Sequence, residues 1–131
     1  MKETIARYFA AFNAGDAEGM LALLTDDVEH HVNQGAIRHG KAAFAEFLAE
    51  MDRAYAERAE DIVIFATEDG TRAAAELTIH GTYKATQERL PLAAGQTYVL
   101  PVGSFFTLRD GRVARVTTYY NMADWLRQVG A

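Results

Sequence analysis

The chain has 131 residues, half of them hydrophobic and 11% aromatic, which predicts one globular domain and excludes disorder. A formal net charge of −5 argues against a nucleic-acid partner, because phosphate binding needs a basic face. The lack of cysteine excludes disulfides, thiolate metal sites and cysteine nucleophiles, and no apolar run approaches the ~20 residues of a membrane span, so a soluble cytoplasmic protein is expected.

Ile5, Tyr8, Phe9 and Phe12 recur at helical spacing and predict a first helix over Lys2 to Asn13. Gly15 suits the residue past its end, and Asp16 can cap a second helix over 17–24 that buries Met20, Leu21, Leu23 and Leu24. Thr25-Asp26-Asp27 reads as a turn. Val28 to Gln34 then reads as a strand with Val28, His30, Val32 and Gln34 on one face, and Gly35 to Gly40 as a loop. Phe44, Phe47, Leu48, Met51 and Tyr55 line one side of a third helix, opposite Glu46, Glu50 and Arg53.

From Glu60 the apolar period changes from 3.6 to 2. Ile62–Phe65 reads as a short strand closed by Glu68-Asp69-Gly70. In the next strand, over 71–84, Ala73, Ala75, Leu77, Ile79, Gly81 and Tyr83 alternate with Glu76, Thr78, His80 and Thr82. Residues 85–96, broken by Pro91 and Gly95, read as a mobile excursion whose role stays open. Two long runs then flank Asp110-Gly111, a hairpin signal. The first run is apolar on both faces, with Val99, Pro101 and Phe105 against Tyr98, Leu100, Val102, Phe106 and Leu108. A sheet wet on one side would alternate, so this strand is expected to be covered twice, by helices and by a second copy of the chain. Met122 to Val129 reads as a short closing helix.

This order predicts an α+β fold over residues 1–131. A curved antiparallel sheet would wrap around three N-terminal helices and enclose a conical pocket. Strand parity turns His30 inward with Val32 and His31 outward with Glu29 and Asn33, so the two imidazoles cannot share a metal. His39 and His80 give no ligand spacing, and no metal is expected. No phosphate-cradling or dinucleotide glycine loop is present, so no cofactor is expected. Ser104, the only serine, lacks the G-x-S-x-G context of a hydrolase nucleophile. Asn33 and Gln34 either orient a ligand or make an ordinary turn. Phe47, Met51 and Tyr55 are either core or a ligand platform. Gly103, which leaves a strand midpoint without a side chain, is counted in the ligand wall with Phe105, Thr118 and Tyr120.

The run Arg7–Asp16, followed by Leu24-Thr25-Asp26-Asp27, resembles the opening of ketosteroid isomerases and polyketide-cyclase-like (SnoaL-like) proteins of the nuclear-transport-factor-2-like superfamily. The segments HHVNQG (30–35), HGTY (80–83), GQTYVLPVGSFF (95–106) and RVTTYYNMADW (115–125) resemble its steroid-isomerase-related branch. The resemblance implies a cone-shaped fold that commonly pairs through its sheet. It further implies three catalytic groups: an oxyanion-hole tyrosine, an aspartate base and a protonated aspartic acid. Carried over, the tyrosine falls on Tyr8, while the aspartate base falls at or beside Val32 and the protonated acid on Gly103, and both are missing. Tyr8 is then either a core residue or a pocket donor, and His30 either a structural histidine or the base that replaces the lost carboxylate. Two functions stay open: acid–base isomerisation, cyclisation or dehydration of a small apolar ketone, or non-catalytic binding by a dimeric scaffold of the same fold.

Overall fold

The computed structural model describes residues 2–33 and 35–130. Its elements run α1 (Lys2–Ala14), α2 (Ala17–Ala22), β1 (Leu24–Val32), β2 (Arg38–His39), α3 (Lys41–Ala54), β3 (Tyr55–Ala66), β4 (Arg72–Tyr83), β5 (Thr97–Arg109), β6 (Arg112–Tyr120) and α4 (Met122–Val129). The six strands form one curved, unclosed sheet in the order β2-β1-β6-β5-β4-β3. β3 to β6 are antiparallel neighbours, joined through tight turns or the 84–96 connection. The β5–β6 turn places Asp110 and Gly111 at φ 52° and 77°, the left-handed pair that a two-residue hairpin needs. β1 departs from the expected antiparallel pattern and runs parallel to β6, which the long connection through α3 and four strands allows.

Three element boundaries differ from the sequence reading. Thr25-Asp26-Asp27 lies inside β1 rather than in a turn. Leu24 and Thr25 are buried there, while a register shift lets both aspartates face solvent, where Asp27 accepts from Arg109 at 2.5 Å. The loop 35–40 contains β2, which pairs with β1. β3 begins at Tyr55, seven residues before the expected strand, and takes Tyr55 from the helix. Its first half was masked by charge: Arg58 and Glu60 pair on the outer surface, while Tyr55, Glu57 and Ala59 alternate inward.

α1, α3 and α4 pack on the inner face of the sheet. Ile5, Tyr8 and Phe9 of α1 meet Phe106, and Trp125 of α4 packs edge-on against Tyr83 at 5.3 Å between centroids. α1 also ties down the edge strand: Asn13 Nδ2 donates to the Ala59 carbonyl at 3.0 Å and Oδ1 accepts from its N–H at 2.7 Å. Asn13 thus supplies two ladder bonds that the free edge of β3 lacks. The outer face carries Val63, Phe65, Val99, Phe105 and Tyr119, all exposed. Residues 85–96, read as a mobile excursion, are held at several points. Tyr83 Oη donates to the Pro91 carbonyl at 2.7 Å, and Gln96 Nε2 donates to the Val129 carbonyl at 2.8 Å. No helix among the described residues is long and apolar enough to cross a membrane.

Candidate functional site

Between the helices and the inner face lies a cavity of about 230 Å³, room for a small bicyclic molecule. Most of its wall is apolar or aromatic, contributed by every layer: Phe9 from α1, Phe47 from α3, Leu77 from β4, Val102 from β5 and Trp125 from α4. A second, more open cleft of about 390 Å³ lies beside the end of α1, the middle of α3 and the start of β3. Phe12, Met20, Leu48, Met51, Tyr55 and Glu57 line both spaces and make up the wall they share.

His30 stands at one end of the cavity, 3% exposed, because strand alternation turns it inward with Val28. Its ring sits 4.3 Å from that of Phe44 and 4.5 Å from that of Phe47. Burial in this apolar seat, helped by the nearby Arg38 guanidinium and then by His31, pushes the imidazole down to about 4. The sequence reading left His30 open between a structural histidine and a base near neutrality; the structure holds a neutral imidazole that is a weak base and an able hydrogen-bonding group. Its Nδ1 is buried and has no hydrogen-bond partner among the described residues. Arg38 lies over the Phe47 ring at 5.0 Å, so the cation is placed on an aromatic face beside His30.

Tyr8 reaches the same cavity from α1, packed edge-on between Phe9 and Phe106. Burial raises its hydroxyl well above the usual phenol range, so it stays a neutral donor at every ordinary pH.

The sequence reading missed Glu57. It projects inward from β3 between Tyr55 and Ala59, and its Oε2 accepts a 2.5 Å hydrogen bond from Tyr98 Oη. Burial holds its carboxyl above the usual range, and the Tyr98 bond pulls it partway back. Three cross-strand partners make this contact: Glu57 on β3 is paired with Gly81 on β4, and Gly81 with Tyr98 on β5. A Cβ on Gly81 would lie 2.2 Å from Tyr98 Cζ, so only glycine lets the tyrosine lie across β4 to the carboxylate two strands away. The available signal was the alternation Tyr55-x-Glu57-x-Ala59, hidden because the third helix was extended through Tyr55. The row through Gly81 could not be seen without the register.

The remaining predicted residues divide by face. Val32, Phe47, Met51, Tyr55, Thr118 and Tyr120 line the cavity. Tyr55 Oη donates to Gln87 Oε1 at 2.5 Å, which fixes the 85–96 segment at the cavity wall. Phe105 does not line it: the side chain is 43% exposed on the outer face, stacked edge-on with Tyr119. Gly103 shares that outer parity, and a Cβ there would approach only Phe105. The correction follows from the period of two, since the inward positions are Val102 and Ser104. Neither is an acid, so the carried-over carboxyl is missing in either register. Ser104 Oγ lies 3.4 Å from Thr118 Oγ1. Asn33, at φ 37°, has its amide oxygen engaged by the Tyr120 N–H at 3.2 Å, which makes it a main-chain connector. Gln34 lies outside the described residues. Among those described, no group of three or more histidine or acidic side chains could hold a metal ion.

Comparison with known proteins extends this architecture. The crystal structure of a candidate polyketide cyclase from Silicibacter sp. TM1040 is 63% identical, covering 99% of this chain and 95% of that one at a TM-score of 0.97. A candidate polyketide cyclase from Pseudomonas putida KT2440 is 56% identical over 97% and 96% of the two chains, with a TM-score of 0.96. A nuclear-transport-factor-2-like protein from Burkholderia xenovorans LB400 shares the fold at 20% identity, over 97% and 93% of the chains and a TM-score of 0.78. No curated protein matches this chain. The SnoaL-like domain family matches residues 5–116, and the chain belongs to that family.

Proposed function

We propose that the protein holds a small, largely apolar, carbonyl-bearing molecule inside its cone and promotes a cyclase- or isomerase-type acid–base reaction on it. The observation that carries this reading is an apolar cavity into which Tyr8 and His30 both project as neutral groups. A neutral phenol and a neutral imidazole can both donate to a carbonyl oxygen and to the enolate that forms from it, in surroundings where such bonds are strong. The candidate cyclases at 56% and 63% identity support the same chemistry. His30 Nδ1, which has no partner among the described residues, gives a ligand hydroxyl or oxygen a place to bond.

A non-catalytic binding module is the second reading. The weak basicity of His30, together with the lack of an acid at Val32, Val102 and Ser104, favours it. 2-Tetralone, a flat bicyclic ketone with acidic α-hydrogens, separates the two. On the enzyme reading it raises the melting temperature and loses its α-hydrogens to D2O faster with protein than without. Tyr8→Phe and His30→Gln then each slow exchange by roughly 10²- to 10³-fold, the range for removing one oxyanion donor. Binding with no accelerated exchange leaves the binding module.

We further propose that the outer face pairs with a second copy of the chain. Val99, Phe105 and Tyr119 give it an exposed apolar centre, the kind of surface that marks an interaction site. Light scattering on the eluting protein should give twice the 14.5 kDa chain mass, and Tyr119→Glu should return it to one. A wild-type monomer at micromolar concentration refutes the pairing.

A further inference from the structure

We propose that Glu57 is the group that takes and returns the proton, and that Gly81 and Tyr98 are arranged to hold its carboxylate at the cavity wall. The inference rests on the acid–base reading above and names the base that reading lacks.

The geometry singles out Glu57 in three ways. It is a carboxylate lining the inner cavity, and it also lines the surface cleft, so a molecule in either space meets it. Tyr98 engages Oε2 alone, which leaves Oε1 without a hydrogen bond to any described residue. The support is built across three strands at a cost: glycine in mid-strand weakens a sheet, yet any side chain at 81 would collide with Tyr98. A carboxylate needed only for folding would be better replaced by a hydrocarbon, which packs here without desolvating a charge. The groups that face it are the neutral hydroxyls of Tyr98, Tyr55 and Tyr120, with Asp52 and Lys84 along the cleft. Tyr120 and Tyr55 both feel its charge.

The step balances without a co-reactant. A Glu57 oxygen removes a hydrogen from the carbon next to the ligand carbonyl, as a proton, and the C–H electron pair moves into an enolate. Tyr8 and His30 hydrogen-bond the enolate oxygen. The Glu57 acid then returns the proton to another carbon of the conjugated system, which is an isomerisation. Alternatively the enolate carbon attacks a second carbonyl of the same molecule, and the new alkoxide takes the proton, which closes a ring. A base whose affinity for protons is lifted toward neutrality suits this exchange better than an imidazole pushed down to about 4.

The test is α-hydrogen exchange of 2-tetralone in D2O, followed by proton NMR from pH 4 to 9, on the full chain. Glu57→Gln, whose amide oxygen can still accept from Tyr98, should stay folded across this range and lose about 10²- to 10⁴-fold in rate. Tyr98→Phe tests the positioning role. Because the Tyr98 bond lowers the Glu57 proton affinity, its loss should move the acidic limb of kcat/KM to higher pH. Gly81→Ala, which displaces the same ring, should move it the same way. A folded Glu57→Gln protein that exchanges as fast as the parent overturns the inference and leaves the acid–base reading standing. A parent protein that does not accelerate exchange overturns both. Carbon-13 NMR of glutamate carboxyls gives a further check: a Glu57 resonance titrating in the ordinary carboxylate range, unmoved by Tyr98→Phe, also overturns it.

Discussion

Burial acts on two titratable side chains in this cone, His30 against Phe44 and Phe47 and Glu57 beneath Tyr98, and drives them in opposite directions. Desolvation penalises whichever form carries charge, so the imidazole loses its proton more easily and the carboxyl keeps its proton longer. For His30 the charges of Arg38 and His31 add to the penalty. For Glu57 the Tyr98 hydroxyl offsets part. The same hydrocarbon surroundings therefore make one group a neutral partner and tighten the other's hold on its proton. Residue type alone would have ranked them the other way, because histidine titrates closer to neutrality in water.

The comparison can be broken most visibly through stability in acid. His30 has a folded value of about 4 against 6.5 unfolded, so its contribution is full above pH 6.5 and lost as the pH falls. That loss should amount to about 3 kcal/mol between pH 6.5 and 4, read by urea denaturation. His30→Gln should remove that slope whatever it does to the plateau, and a parent curve flat in this window refutes the neutral-imidazole description. A smaller effect, about 2 kcal/mol, is expected from Gly81→Ala at neutral pH, the usual cost of forcing a methyl into filled space. If urea midpoints show no loss, Tyr98 does not lie across β4 as described. The smallest effect carries the opposite sign. A carboxyl with a raised folded value stabilises fully below its unfolded value and loses that contribution as the pH climbs, so Glu57→Gln should raise the melting temperature at pH 8 and leave it unchanged at pH 4. A drop at pH 8 would mean the charged form is favoured by folding.

Much of this was legible beforehand where one rule acted alone. Phe44, Phe47, Leu48 and Met51 keep helical spacing, and α3 forms over them. Asp110-Gly111 demands a hairpin and makes one. The alternation in β4 and β5 placed Leu77, Ile79, Leu100 and Phe106 on the buried face. Legibility failed where two rules competed. In residues 55–61 the ion-pairing outer face outweighed the alternation, and Glu57 went unread. At Thr25-Asp26-Asp27 the turn propensity of aspartate was overridden by burial of Leu24 and pairing of β1 with β6. Gly103 was placed in the ligand wall through the resemblance and its missing side chain, and Phe105 with it, against the parity that Tyr98 and Phe106 already implied.

The sequence by itself determined the period of each element, and with it which side chains share a face, because local geometry allows only a few repeats. Tertiary structure alone decided which residues stand beside one another across strands. Glu57, Gly81 and Tyr98 are 24 and 17 positions apart along the chain, and only the β3–β4–β5 register makes them one row. Proton affinity belongs to that second kind of information. It depends on the water that packing excludes around a side chain and on the one hydroxyl that packing brings to it.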